Sequence, residues 1–155
     1  MVNIKQKTTV KQRISASCPS HSRTDVKVRD VATIIDEPIE RDGTNLGPTP
    51  TEAALAALAG CTNVIGNKVA HHLGIPIDNL EISVVSDFDR RGVTLAEEVD
   101  IPFETIKLRV ELDTEASDQD IQRLATEVAK FCPLAKLFRQ AGTKLEEEWV
   151  VRGRS

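Results

Sequence analysis

The spacing of apolar residues in the first third of the chain predicts short strands. Apolar and polar residues alternate weakly over residues 8–17 and clearly over residues 25–30, and a β-branched run follows at residues 31–35. A period of two is typical of strands that bury one face. Residues 41–48 then form a loop rich in turn-forming residues. This part of the chain is predicted to form a small antiparallel meander.

A long helix is predicted over residues 50–73. Thr49 is suited to the N-cap, Pro50 to the first helical position and Glu52 to the third, which together make a capping box. The sequence continues as AALAALAGC, with no further charge until Lys68. A helix that is apolar on most sides is buried on most sides.

The length and small side chains of this helix predict contact with a second chain. About 24 residues at a rise of about 1.5 Å each make a rod near 36 Å long, which one chain of this size does not bury completely. Gly60 lies inside the helix, where glycine costs about 1 kcal/mol relative to alanine. We therefore expect a close backbone contact at Gly60 and a second subunit.

The second half of the chain predicts a sheet and two further helices. Strict alternation over residues 80–84 and 106–112 predicts two half-buried strands. A second amphipathic helix follows, and Pro133 interrupts it because proline lacks the backbone donor that the helix needs. We expect a short helix over residues 134–140 and a final strand over residues 145–151. The order of elements is that of an α+β fold.

Length and charge limit the class of protein. The chain has 155 residues, 40% of them apolar, and a net charge of −4. We expect one domain over residues 1–155, with a loose N-terminus at residues 1–7. No apolar run approaches the roughly 18 residues of a membrane span, and no signal-peptide pattern is present, so a cytoplasmic protein is expected. The acidic balance and 3% aromatic content argue against nucleic acid as a partner.

Three cysteines are the main candidates for chemistry, namely Cys18, Cys61 and Cys132. Their odd number and the absence of a CxxC pair argue against a structural disulfide framework. No histidine has zinc-ligand spacing from a cysteine, so neither a structural metal nor another cofactor is expected. Cys18 adjoins a proline in a predicted turn and is interpreted as a bystander.

Cys61 has two interpretations. In an apolar helix it is a small buried hydrophobic residue, and burial raises the pKa of such a thiol and makes it inert. To react it needs a cation close by, and its own helix supplies none nearby. Arg23, Arg29 or Arg41 of the meander would have to reach it. A metal site formed by Cys61 and a histidine is a weaker third hypothesis.

Cys132 also has two interpretations. If Pro133 is the first residue of the short helix, Cys132 is its N-cap, where the helix N-terminus stabilises an anion and lowers a thiol pKa. Otherwise it is a core cysteine at a kink. The two helix thiols, Cys61 and Cys132, could meet and cycle between dithiol and disulfide, but a separation of 71 residues does not decide this.

One block of sequence resembles a known family. Residues 47–62 read GPTPTEAALAALAGCT, which is similar to the helix motif of the OsmC/Ohr family, the osmotically inducible and organic hydroperoxide resistance proteins. Residues 36–38 (DEP) and 132–134 (CPL) are similar to the same family in type and order. The resemblance extends from about residue 8 to residue 152.

The resemblance implies a fold and an activity. The fold is α+β, with antiparallel sheets around a long buried central helix in an intertwined homodimer. The activity is thiol-dependent reduction of organic hydroperoxides, in which Cys61 matches the peroxidatic cysteine and Cys132 the resolving one. A dithiol reductant, in Ohr-like members a lipoyl group, restores both thiols. The aliphatic surroundings of Cys61 favour alkyl or fatty-acyl hydroperoxides.

The chain departs from the Ohr pattern at one position. Ohr-like members place a carboxylate directly after the proline that matches Pro50, whereas here Thr51 occupies that position and Glu52 follows. Glu52 is the candidate carboxylate of an arginine clamp, although the capping box already explains it. Arg23 is the first candidate for the activating cation and Arg29 the second. The competing hypothesis is a non-catalytic stress-associated binding protein or redox sensor on the same fold.

Overall fold

The chain folds into two compact units. The computed structural model describes residues 8–154, and one unit ends at Ala53 while the other begins at Ala54. The expectation of a loose segment over residues 1–7 lies outside the described residues. The assignment of the whole chain to one domain stays a prediction.

The first unit contains the predicted meander. Strands β1 (Ser15–Ser17), β2 (Thr24–Val28) and β3 (Val31–Ile35) pair antiparallel in the order β1-β2-β3. The first strand is shorter than the pattern predicts. Residues 8–14 form no strand, and their two apolar side chains are largely exposed, so no buried face extends the pairing.

A buried carboxylate organises the loop after β3. Asp36 is fully buried. Its carboxylate accepts hydrogen bonds from three backbone N–H groups, those of Glu37, Thr44 and Leu46, at 2.9, 3.0 and 3.1 Å. It also accepts one from the Thr44 hydroxyl. The Thr44 hydroxyl is the main reason that the pKa of Asp36 lies below its ordinary value, and the backbone donors reinforce it.

Two glycines allow this loop to close tightly. A Cβ atom at Gly43 would lie 1.7 Å from the carbonyl oxygen of Glu37, and one at Gly47 would lie 2.1 Å from that of Ile34. Neither position can carry a side chain without movement of the backbone. The loop also contains a short 3-10 turn, Ile39–Arg41, that its pattern does not predict.

Helix α1 spans Pro50–Leu73, as predicted. The predicted capping box is present: the backbone N–H of Thr49 donates to Glu52 Oε2 at 2.9 Å, and that of Glu52 donates to Thr49 Oγ1 at 3.3 Å. Gly74 follows the helix with a φ of 69°, in the left-handed region that glycine tolerates.

The second unit contains a mixed sheet. Strand β5 (Phe103–Asp113) lies between β4 (Asp78–Phe88), which is antiparallel to it, and β6 (Lys144–Val151), which is parallel to it. The prediction of antiparallel sheets therefore fails for β6. Helices α2 (Asp118–Phe131) and α3 (Pro133–Gln140) form the crossover that a parallel connection requires.

The core of the second unit is aliphatic. Alternate side chains of β5 are almost completely buried, as the predicted half-buried strand requires. They pack in one hydrophobic cluster with residues of α1, α2 and α3. The members that are at most 1% exposed are Leu58, Ala70, Ile106, Leu108, Val110, Leu112, Leu124, Cys132 and Ala135.

One side of α1 is exposed in the single chain. Ala56, Ala57 and Gly60 are exposed, and Val64 keeps 50% of its surface. A Cβ atom at Gly60 would meet no atom within 4 Å, so the single chain forms no close contact there and the expected contact stays a prediction for a second chain. The expectation that α1 is buried on most sides is likewise not met by one chain alone.

Replacing Asp36 by Asn should lower the melting temperature of the protein by several degrees at pH 7. The side-chain amide of asparagine carries no negative charge, and its NH2 group would face backbone N–H groups that now donate to the carboxylate. Because the folded-state pKa of Asp36 is lowered, its stabilisation is complete above the ordinary carboxyl pKa of about 4 and is lost as the pH falls through the lowered value. Thermal melts between pH 7 and pH 3 measure this.

The exposed Asp30 of the same unit supplies the control. Asp30→Asn should melt like the wild type at every pH. Equal melting of Asp36→Asn and wild type at pH 7 would contradict the role given to Asp36.

Candidate functional site

Two cysteines of the second unit lie in contact. The Sγ atom of Cys132 is 3.1 Å from that of Cys61, although 71 residues separate them in the chain. Both are free thiols. The Cys132 thiol donates a hydrogen bond to the sulfur of Cys61. The structure thus brings together the two residues that sequence reasoning singled out for redox chemistry.

Cys132 is held by the backbone on both sides. Its N–H donates to the carbonyl of Val128 at 2.9 Å and ends α2. Its carbonyl accepts from the N–H of Lys136 at 3.1 Å, and its Sγ accepts from the N–H of Ala135 at 3.4 Å, which begins α3. Pro133 occupies the first helical position, as predicted. One residue therefore serves as the C-cap of one helix and the N-cap of the next.

The pKa of Cys132 is not lowered. Burial is the main cause that raises the pKa of this thiol, and its hydrogen bond to Cys61 acts in the same direction. The N–H of Ala135 favours the thiolate but does not outweigh burial. The interpretation in which the helix N-terminus lowers this pKa is therefore wrong, because Cys132 is 1% exposed. Burial therefore favours the protonated form of the Cys132 thiol.

The two sulfurs differ in exposure. Cys61 is only half-buried and packs at the margin of the core, whereas Cys132 lies within it. The next residue on α1, Thr62, is buried and donates its hydroxyl hydrogen bond to the carbonyl of Leu58. A molecule that reacts with the pair reaches Cys61 first.

The candidate cations belong to the first unit. Arg23 donates two hydrogen bonds to Asp25, at 2.7 and 3.2 Å, and this carboxylate raises the pKa of the guanidinium. Arg29 lies in the turn between β2 and β3 with a φ of 54°. Arg41 forms an ion pair with Glu37 at 3.1 Å.

Sequence reasoning missed Asp25 as the partner of Arg23. The two residues are two positions apart on an extended segment, so their side chains share one face of the sheet. That spacing was available in the sequence. The Ohr pattern points instead to a carboxylate next to Pro50.

Glu52 is held in the capping box described above. The backbone N–H of Thr49 is the main cause of the lowered pKa of Glu52, and the charge of Arg41 contributes less. Among the described residues, no arginine lies within ion-pair distance of the Glu52 carboxylate. The observed role of Glu52 is thus to cap α1.

Neither Cys18 nor a metal site adds to the thiol pair in the described residues. Cys18 is exposed, and its sulfur lies 3.9 Å from Thr24 Oγ1. No group of three or more histidines, cysteines and acidic residues is arranged to hold a metal within residues 8–154. In the same part of the chain, no helix combines the length and apolar character needed to cross a bilayer.

The fold is shared with solved structures. An OsmC-like protein from Mycoplasma pneumoniae is similar over 92% of this chain and 97% of its own, with 22% identity and a TM-score of 0.78. An organic hydroperoxide resistance protein OsmC from Legionella pneumophila is similar over 94% and 98%, with 16% identity and a TM-score of 0.66. The organic hydroperoxide resistance protein OhrB of Bacillus subtilis is similar over 91% of this chain and 98% of its own, with 20% identity and a TM-score of 0.59. These likenesses define the class as an α+β fold of the OsmC type.

A family model makes the assignment specific. The model described as OsmC-like protein matches residues 43–148, which is more than half of the chain. The protein belongs to the OsmC-like family. No curated protein matches its sequence.

Mild oxidation should join Cys61 to Cys132 within one chain. With diamide, the three free thiols should fall to one, because the two sulfurs are already in contact and Cys18 is not part of the pair. Closing a loop of 71 residues should stabilise the second unit by about 4 kcal/mol in the chain-entropy model. Thiol counting, peptide mapping and denaturant unfolding measure these changes.

Cys18→Ser is the matched control for this oxidation. It should still form the disulfide and should retain no free thiol. A disulfide that links two chains, or one that includes Cys18, would contradict the geometry of the pair.

Proposed function

We propose that the protein reduces organic hydroperoxides with Cys61 as the peroxidatic cysteine and Cys132 as the resolving cysteine. The observation that carries the proposal is the distance of 3.1 Å between the two sulfurs. A sulfenic acid formed on Cys61 would already be in contact with the Cys132 thiol that condenses with it. The exposure difference supports the same assignment of roles, since the half-buried thiol meets the substrate and the buried one resolves.

In the first step, the Cys61 thiolate attacks the terminal oxygen of the hydroperoxide. A sulfur–oxygen bond forms and the oxygen–oxygen bond breaks. The departing alkoxide takes up one proton and leaves as an alcohol. Sulfur loses two electrons and becomes a sulfenic acid, and the hydroperoxide gains them.

In the second step, Cys132 attacks the sulfenic sulfur. The disulfide forms, and the hydroxyl group leaves with the proton of Cys132 as water. A dithiol then reduces the disulfide by thiol exchange and becomes a disulfide itself. Such a dithiol is supplied in a reducing compartment, and we assign the protein to the cytoplasm. A lipoyl group fits this role by its chemistry.

The family supports the peroxide chemistry. Solved relatives from Legionella pneumophila and Bacillus subtilis carry the name organic hydroperoxide resistance protein. At such low sequence identity, these relatives support only the fold of this chain. The role proposed for each cysteine therefore rests on the geometry of the thiol pair. We infer a peroxide-related stress role for the protein.

We assign the activating cation to Arg23, with Arg29 as the second candidate. A guanidinium that donates two hydrogen bonds to one carboxylate is oriented and permanently charged. Asp25 supplies that carboxylate here. We infer that the clamp consists of Arg23 and Asp25, while Glu52 acts indirectly by fixing the start of the helix that carries Cys61.

We also propose that the protein is a homodimer whose chains meet along α1. The exposed small residues of this helix, Ala56, Ala57 and Gly60, permit close approach of a second backbone, and the half-exposed Val64 adds apolar area. An apolar helix face of this kind gains by burial against another chain.

One equivalent of cumene hydroperoxide should remove two thiols per chain. The count should fall from three to one, because one peroxide accepts the two electrons that the pair releases. Cys61→Ser should lose no thiol to this reagent. Thiol counting and consumption of peroxide measure both results. Unchanged thiols in the wild type would leave only the non-catalytic binding hypothesis.

Cys132→Ser separates the two roles in the same experiment. The variant should complete one turnover and then accumulate sulfinic acid on Cys61, which mass spectrometry detects. Continued turnover at the wild-type rate would remove Cys132 from the cycle while leaving Cys61 in it.

Light scattering should give twice the chain mass of 17.0 kDa. Val64→Glu should weaken association at least tenfold, since it places a charge in the proposed apolar contact. Lys136→Gln changes the net charge equally at an exposed site of α3 and should leave the dimer intact. A monomeric wild type at high concentration would refute this assembly.

A further inference from the structure

A groove lies between α2 and strand β6 of the second unit. It encloses about 670 Å³, and its walls include Ile121, Gln122 and Ala125 of α2. Residues 147–151 of β6 form the other side. Successive side chains of a strand point to opposite faces of the sheet, so a groove lined by five consecutive residues lies at the edge of the strand. Neither sulfur of the thiol pair lines it.

Strand β6 is an edge strand with a regular backbone. Within the described part of the chain it pairs only with β5, and their register is unbroken from Lys144 to Val151. The opposite edge of the sheet, β4, contains two register shifts. Irregularities of this kind commonly protect an edge from pairing with another strand. The register of β6 has no such protection, so a further strand can pair along it.

Unpaired backbone groups of β6 face the groove. The N–H of Arg152 donates to the carbonyl of Leu112 on β5 at 3.0 Å. Because successive residues of a strand direct their backbone groups to opposite neighbours, the N–H groups of Glu147, Trp149 and Val151 point away from β5. Among residues 8–154, no backbone carbonyl of another element accepts from them. This row of donors is what an added strand pairs with.

The rim of the groove is acidic. Three carboxylates and one guanidinium line it, those of Asp118, Glu147, Glu148 and Arg154. The side chains of Asp118 and Glu148 remain 84% and 63% exposed, although each has an arginine partner. The arginine that pairs with Glu148 is shared with a second glutamate. A basic side chain in the groove is therefore favoured over an acidic one.

We propose that this groove binds an extended segment of another protein, in which apolar residues alternate with basic ones, as an additional strand beside β6. Hydrogen bonds between the two backbones supply affinity, and alternate side chains supply specificity. One set of side chains faces Ala125 and Trp149 on the helix side of the sheet, and the other set lies beside Glu148 on the exposed side. This inference is independent of the peroxide chemistry.

A second copy of the chain fits this edge less well. If two β6 strands paired antiparallel about their centre, Glu146 of one chain would lie opposite Glu148 of the other, and Glu147 opposite its own counterpart. Like charges directly opposite each other destabilise a pair of strands. Lysine side chains in the added strand would instead meet opposite charges.

The fluorescence of Trp149 tests binding to the full chain. Trp149 is the single tryptophan, and its ring is held against α1, where a Cβ atom at Gly66 would lie 3.2 Å from Cη2. The probe is a capped hexapeptide of alternating valine and lysine. It should change the emission saturably and bind at least tenfold more tightly than the same peptide with glutamate in place of lysine. If the two peptides bind alike, or neither binds, the proposal is wrong.

A matched pair of variants tests the acidic rim. Gln122→Arg should weaken binding of the lysine peptide at least fivefold, because an arginine there adds positive charge and pairs with Asp118 four residues earlier. Gln140→Arg makes the same change at an exposed site of α3 and should bind like the wild type. Both variants should melt like the wild type. Equal weakening by both variants, or by neither, would overturn the proposal.

Hydrogen exchange followed by NMR tests the pairing itself. The N–H groups of Glu147, Trp149 and Val151 should exchange rapidly in the free protein and at least tenfold more slowly with the lysine peptide bound. Those of Glu148 and Val150, which face β5, should exchange slowly in both states. Bound peptide without this alternating protection would refute strand addition. Slow exchange of the outward groups in the free protein would show that a second copy already covers the edge, which also overturns the proposal.

Discussion

The contact between the two helix thiols depends on a constraint on the backbone at Cys132. Proline at position 133 cannot continue α2, so the chain turns and restarts as α3, and Cys132 closes one helix while opening the next. The turn holds the buried Sγ against Cys61 of a different helix. A freely rotating cysteine would have to lose conformational entropy to make this contact, whereas Cys132 is already fixed by three backbone hydrogen bonds.

A second constraint, at Asp36, prepares the start of α1. Its buried carboxylate gathers the backbone of the preceding loop, and Gly43 and Gly47 permit the close approaches that this requires. The capping box at Thr49 then satisfies the first orphan donors of the helix. The DEP and GPTPTE segments therefore have a structural explanation that is independent of catalysis, which is why a family motif by itself does not identify reactive residues.

Local sequence rules predicted the bounds of most helices and strands. Features that depend on contacts between distant residues could not be predicted in this way. Thr49 and Pro50 determine where α1 begins, and Gly74 determines where it ends. Pro133 determines that Cys132 is the N-cap of α3. The contact between Cys61 and Cys132 depends on how two helices pack, which spacing along the chain does not encode. The predicted lowering of the Cys132 pKa is wrong for the same reason. The helix N-terminus is set by neighbouring residues, whereas burial depends on residues that are distant in the chain.

The burial difference within the thiol pair determines where other molecules must approach. Because Cys132 is enclosed by the core, the oxidant and the reductant of the proposed cycle have to reach the pair from the side of Cys61. In the proposed cycle, a thiolate that attacks the disulfide at Cys61 expels Cys132, and the raised pKa of the Cys132 thiol makes it a poor leaving group. Reduction is therefore expected to be the more demanding half of the proposed cycle. A dithiol suits it, because the second sulfur of a dithiol completes the exchange without leaving the site.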